Sequence, residues 1–72
     1  ADYSPYDIIS LVKSILFNKV SMYSDELVVA VQREFKVPRL SDKFAAYINS
    51  CIDYGVSKGI FVRSISDKIS LT

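Results

Sequence analysis

The sequence predicts a mostly helical α+β domain in which three helices are followed by a C-terminal β-hairpin. Three observations predict it. Apolar residues recur at spacings of three and four in three successive segments, each opened by a capping signal. Lys58-Gly59 then ends the helical period. Beyond it the pattern alternates through Ile60-Phe61-Val62-Arg63-Ser64-Ile65, and after Ser66-Asp67 a second short run follows, Lys68-Ile69-Ser70-Leu71. Two such runs joined by polar turn residues read as a hairpin.

Ser4-Pro5-Tyr6-Asp7 opens the first helix. Ser4 is suited to cap, Pro5 fits the first helical position, and Asp7 sits near the positive end of the helix dipole. Ile8, Leu11, Val12, Ile15 and Leu16 then share one face, and Asn18-Lys19 ends the pattern. Val20-Ser21-Met22 reads as a brief strand. Ser24-Asp25-Glu26 opens the second helix by the same logic, with Leu27, Val28, Val31 and Phe35 on its inner face. Val37-Pro38 closes it, because proline pushes the preceding residue out of helical geometry. Ser41-Asp42 caps the third helix, whose inner face is Phe44, Ile48, Cys51, Ile52 and Gly55 with Val56 at its margin. Gly55 falls in the apolar phase, so close helix packing is its expected purpose. The expected core is Ile8, Leu11, Val12, Ile15, Leu16, Leu27, Val31, Phe35, Phe44, Ile48, Cys51, Ile52, Ile60 and Val62. Three helices, a C-terminal hairpin and a short strand near residues 20–22 make the ground plan of a winged helix-turn-helix.

Seventy-two residues support one domain, 1–72. Half of the residues are hydrophobic, which is rich for so small an interior. Some apolar side chains are therefore expected outside, where they would mark a partner surface. The start at Ala1 rather than Met suggests a piece excised from a larger protein. The net charge of +1 does not suggest strong attraction to nucleic acid or to acidic membranes. A single cysteine rules out an internal disulfide framework and fits a reducing, cytoplasmic setting. With one Cys and no His, a structural zinc site of the usual ligands is excluded. No apolar run is long enough for a membrane span and no secretory leader is visible.

Nothing in the chain specifies a reaction. Cys51 has no histidine to activate it, and its phase points to the core, so a packed thiol is expected. Asp25-Glu26 is explained by the dipole of the second helix. The only glycines are Gly55 and Gly59, which excludes a phosphate-cradling glycine loop. No catalytic residue, cofactor or metal is expected in this segment.

Two binding roles remain. In a helix-turn-helix the third helix is presented to the major groove. By phase its outward positions are Asp42, Lys43, Ala46, Asn49, Ser50, Asp53 and Ser57. Asn49 is suited to pair with adenine, and Lys43 to meet guanine or phosphate. Arg39, just before this helix, is placed to hold a phosphate, and Arg63 and Lys68 on the hairpin to contact the backbone. Asp42, Asp53 and Asp67 oppose this, and with at most four convergent cations the salt slope is about −0.9 per contact. Weak DNA binding by Arg39, Lys43, Asn49, Arg63 and Lys68 is the leading expectation; solvated charge with no ligand is the bland one. The second role is protein docking or dimerisation. Tyr6, Ser10, Lys13 and Phe17 lie within about 60° of one another on the first helix, behind its core face. Val29 falls on the outer face of the second helix beside Arg33 and Lys36. Tyr6, Phe17 and Val29 are therefore the expected protein contacts, set against the simpler reading that the aromatics cover the ends of a small core. Tyr3 is expected to fold over either surface.

Three segments carry a family resemblance: Asp25-Glu26-Leu27 through Arg33, Arg39-Leu40-Ser41-Asp42-Lys43 through Ile48, and Gly59-Ile60-Phe61-Val62-Arg63. They resemble a small domain of unknown function found near the C-terminus of large bacterial helicase- and nuclease-type proteins. That pattern has a helix with a late Arg, an Arg–small residue–basic element opening the next helix, and a Gly-apolar-basic exit into a hairpin. Arg33, Arg39, Lys43, Gly59 and Arg63 occupy the matching positions. The chain departs from it at Asn18-Lys19-Val20-Ser21, where the family has an acidic-proline element. The resemblance implies an accessory module on an ATP-driven nucleic-acid enzyme and no catalytic residues here.

Overall fold

The computed structural model describes residues 3–39 and 41–72, so Leu40 of the resemblance segment lies outside the described residues. Helix α1 spans Pro5–Lys19. Ser4 Oγ accepts from the Asp7 amide at 3.2 Å, and the Asp7 carboxylate accepts from the Ser4 amide at 3.3 Å. This reciprocal box satisfies two amides that the first helical turn leaves unpaired. The helix ends at Val20, whose amide still bonds the Leu16 carbonyl at 2.8 Å. Val20 has φ +71° and ψ −58°, a strained γ-turn for a β-branched residue, and its side chain points to solvent.

Strand β1 (Ser21–Tyr23) leads into helix α2 (Ser24–Glu34). The cap expected from Ser24 is not what the hydroxyl does. Tyr23 occupies the capping position, its amide donating to Glu26 Oε1 at 3.2 Å, while Ser24 is the buried first residue of the helix. The Ser24 hydroxyl turns instead to the Asp67 carboxylate across the fold. α2 also stops three residues before Val37. The Lys36 amide bonds Arg33 O at 3.0 Å and the Val37 amide bonds Gln32 O at 3.1 Å, with Lys36 at φ +56°. These bonds form a Schellman stop with lysine where glycine is usual. Proline therefore follows the stop and does not cause it.

Helix α3 (Asp42–Ser57) starts with Ser41 Oγ accepting from the Phe44 amide at 3.1 Å. It ends in the same motif with the expected residue: Gly59 sits at φ +77°, its amide bonds Val56 O and the Ile60 amide bonds Gly55 O. Strands β2 (Phe61–Arg63) and β3 (Lys68–Leu71) form the hairpin. β1 joins the free edge of β3, giving an antiparallel sheet of order β1-β3-β2 with Met22 opposite Ile69 and Phe61 opposite Leu71. The described chain is thus a small, mostly helical α+β fold of three helices and one three-stranded sheet.

The core gathers Ile8, Val12 and Leu16 of α1, Leu27 and Val31 of α2, Ile48, Cys51 and Ile52 of α3, and Phe61 and Ile69 of the sheet. Ile9 and Val28 complete it. Leu11, Ile15, Phe35, Phe44 and Ile60, expected inside, are half-buried and pack against this core from its edge.

One expectation inverts. The alternating pattern places Val62 in the core, yet it is 47% exposed and Phe61 is 1% exposed. Strand side chains alternate, so a one-residue error in phase turns every side chain over. Gly55 decides the phase. A Cβ built there would lie 2.4 Å from Cδ2 and Cε2 of Phe61, so the ring occupies the hollow that glycine leaves on α3. Gly55 therefore serves packing of strand on helix. Ile65, read as part of the alternating run, lies instead in the turn between β2 and β3 with its side chain fully in solvent.

Candidate nucleic-acid interface

The inversion at Phe61 also relocates Arg63. Two residues along β2, Arg63 projects to the same side as Phe61, toward α3. Its Nη1 lies 2.7 Å from Asp53 Oδ1 of α3, and its Nε lies 3.0 Å from Asp67 Oδ1 in the hairpin turn. Asp67 is held in turn. Its other carboxylate oxygen accepts from the Ser24 hydroxyl, its carbonyl accepts from the Ser24 amide at 3.2 Å, and its φ is +67°, a geometry that aspartate tolerates better than most residues. Arg63 thus ties the hairpin turn to α3, and Asp67 ties it to α2. The local sum of Asp53, Arg63 and Asp67 is one negative charge, which repels phosphate.

The other proposed nucleic-acid residues are placed as follows. Lys68 begins β3 opposite Tyr23, and its Nζ stands 5.2 Å from that ring's centroid. Asn49 lies midway along α3, half-buried, its Nδ2 donating to the Ala45 carbonyl at 3.1 Å. One amide proton and the side-chain oxygen remain for a base. Arg39 and Lys43 are exposed, and among the described residues no carboxylate lies within ion-pair distance of either. The structure brings these two together and leaves the hairpin pair elsewhere. Ten residues separate Lys43 from Asp53, about 15 Å along α3 at about 1.5 Å per residue.

Arg39 and Lys43 flank a cleft that the sequence did not reveal. It opens beside the start of α3, measures about 800 Å³, and takes Tyr3, Phe44 and Tyr47 as its apolar wall. Tyr3 stacks on Phe35 with ring centroids 4.1 Å apart, and the Tyr47 hydroxyl donates to the Tyr3 carbonyl at 2.6 Å. Tyr3 therefore anchors the N-terminal segment over α2 and α3. The sequence signal was the i, i+3 pair Phe44 and Tyr47, which extends the apolar stripe sideways at the start of α3.

The expected protein contacts do not merge into one patch. Tyr6 and Phe17 are 83% and 81% exposed, on one face of α1. Eleven residues of helix, about 16 Å, separate them. Tyr6 belongs instead to a mostly apolar groove of about 720 Å³ between the start of α1 and the end of α3, shared with Ile9, Cys51, Tyr54 and Ile60. Val29 sits on the outer side of α2, about one-third exposed. Burial pushes the Cys51 thiol up from its ordinary pKa, with the Tyr47 hydroxyl pulling weakly the other way.

Among the described residues no three His, Cys, Asp or Glu side chains converge as a metal site would need, and no helix is long and apolar enough to cross a membrane. No family model, curated protein or solved structure matches this chain.

Proposed function

We propose that this chain is a winged helix-turn-helix module that binds nucleic acid weakly and non-catalytically, as an accessory part of a larger bacterial helicase-type protein. The order α1-β1-α2-α3-β2-β3, with β3 central in the sheet, supports the winged-helix reading. The observation that carries the binding role is the pair of exposed cations, Arg39 and Lys43, at the leading end of α3. In this reading they hold backbone phosphates and Asn49 meets a base edge. Lys68 adds a third contact from the wing. Arg63 acts as a positioning residue for the wing, since its Nη1 and Nε already face carboxylates. The helicase context is what the resemblance through Arg33, Arg39, Lys43, Gly59 and Arg63 implies.

Titration of a labelled duplex at low salt tests this. Three contacts give a log–log salt slope of about −2.7, and the double replacement R39A/K43A removes about two-thirds of it. Affinity unchanged by that replacement would remove the assignment.

A second reading is favoured by the groove beside Tyr6: docking of another domain or a second copy on α1. Sedimentation of the chain tests self-association, and a pull-down with the remainder of the parent protein tests docking. If Tyr6→Ser and Phe17→Ser each leave both outcomes unaltered, this surface is not an interface.

A further inference from the structure

We infer that the cleft at the start of α3 is a seat for one unpaired nucleotide, so that the module prefers a duplex carrying a single-stranded end or junction. The inference rests on the nucleic-acid reading above and adds a ligand class to it. The cleft combines two chemistries. Its wall is aromatic: Tyr3, Phe44 and Tyr47 are each half-buried and line the opening. Flanking it are two cations, Arg39 and Lys43, for which the described residues supply no carboxylate.

An apolar ligand would leave both charges without a purpose, and a bare phosphate would leave the rings without one. A nucleotide uses both, stacking its base on an aromatic face while its phosphates meet Arg and Lys. The cleft is an open depression of about 800 Å³, wide enough to take one base from the side and too small for a duplex. A base paired inside a duplex has no free face to offer the wall. The nucleotide must therefore be unpaired, at an overhang or a junction.

The packing around the cleft is pre-organised. Tyr3 is stacked on Phe35 and its carbonyl is bonded by Tyr47, so the wall does not have to assemble when the ligand arrives. An acidic peptide bearing an aromatic side chain shares part of this chemistry. The nucleotide is preferred because the cleft adjoins the leading end of α3, the end that the winged-helix reading directs at nucleic acid.

The test is fluorescence anisotropy of the 72-residue chain against three labelled probes: a blunt duplex, the same duplex with a two-nucleotide overhang, and the overhang strand alone. The overhang is expected to tighten binding at least about fivefold, the lower end for one base stacked on an aromatic ring. R39A/K43A, which alters only exposed side chains, is expected to erase this increment and to flatten the salt slope for the single strand by about 1.4. A second measurement does not depend on a variant: aromatic ¹H–¹³C spectra should show the Tyr3, Phe44 and Tyr47 ring signals shifting with the overhang probe and not with the blunt duplex. If the blunt duplex binds and the overhang adds nothing, the seat is refuted while the duplex reading stands. If the overhang probe and the single strand bind while the blunt duplex does not, the seat stands and the duplex reading falls. If no probe binds, both fall. Shifts of these rings with a Glu-Tyr-Glu peptide and none with any oligonucleotide would overturn the inference in favour of a protein ligand.

Discussion

Replacing Gly55 with alanine tests the packing that orients the whole hairpin. On an isolated helix the change would help, because alanine exceeds glycine by about 1 kcal/mol in a helix interior. The fold reverses that sign. The new methyl would stand 2.4 Å from two carbons of the Phe61 ring, well inside van der Waals contact. The ring cannot swing aside, because Phe61 is 1% exposed in a core of packed side chains. Overpacking of this kind costs about 1–3 kcal/mol, and the near-complete overlap places Gly55→Ala in the upper half of that range. Subtracting the gain in helix propensity leaves a net loss of about 1–2 kcal/mol. In a domain of this size that lowers Tm by roughly 4–16 °C. Urea unfolding followed by far-ultraviolet circular dichroism measures it, with an unchanged m value as the sign that only stability moved. The double mutant sharpens the test. Phe61→Ala alone should cost about 3–5 kcal/mol, and with the ring gone the alanine methyl has room. Gly55→Ala should then be neutral or stabilising, giving a coupling of about 1–3 kcal/mol. A stabilising Gly55→Ala in the wild-type background, or strict additivity with Phe61→Ala, would show that the ring does not fill this hollow.

Four further outcomes are expected. Leu27→Ala and Ile48→Ala, both fully buried, should each cost about 2–5 kcal/mol; smaller losses at both positions in urea would contradict the core described above. Val20→Gly should stabilise by up to about 1–2 kcal/mol, because it relieves a strained backbone of about 1–3 kcal/mol and forfeits an exposed side chain at the entropic cost of one glycine; a destabilised variant in the same assay would deny the strain. Asp53→Asn should change stability by less than about 1 kcal/mol, as the pair is largely exposed and Arg63 keeps its second partner in Asp67; a larger loss in urea would show that this pair holds the hairpin to α3. Finally, the thiol of Cys51 is raised by burial in the folded state. Its contribution is fully present below the thiol's unfolded pKa of about 8.5 and is lost as pH rises through the higher folded value. The stability advantage of the wild type over Cys51→Ala should accordingly hold below about pH 8.5 and shrink above it, and a constant difference would rule out a protonated buried thiol.

What could be read from the residues alone was whatever depends on neighbours in the chain. Ser4 with Asp7, Ser41 before α3 and Gly59 after it act within three or four residues, and each does what its local chemistry dictates. The helical apolar stripes were equally legible, because a period of 3.6 tolerates an error of one position and still marks the right face. The choices left to tertiary structure were those in which local rules allow two answers. Ser24 looked like a cap, but a carboxylate 43 positions away captured its hydroxyl. The stop of α2 fell at Lys36, because a Schellman turn can form on lysine when the chain must reverse toward α3. The phase of β2 was ambiguous because both Phe61 and Val62 are apolar and a strand has only two faces. The hollow over Gly55 admits the larger ring, and that one contact sends Arg63 to Asp53 and Asp67. The cleft between Arg39 and Lys43 exists for the same reason: its wall joins Tyr3 to Tyr47 across 44 positions, a distance that only the closed fold spans.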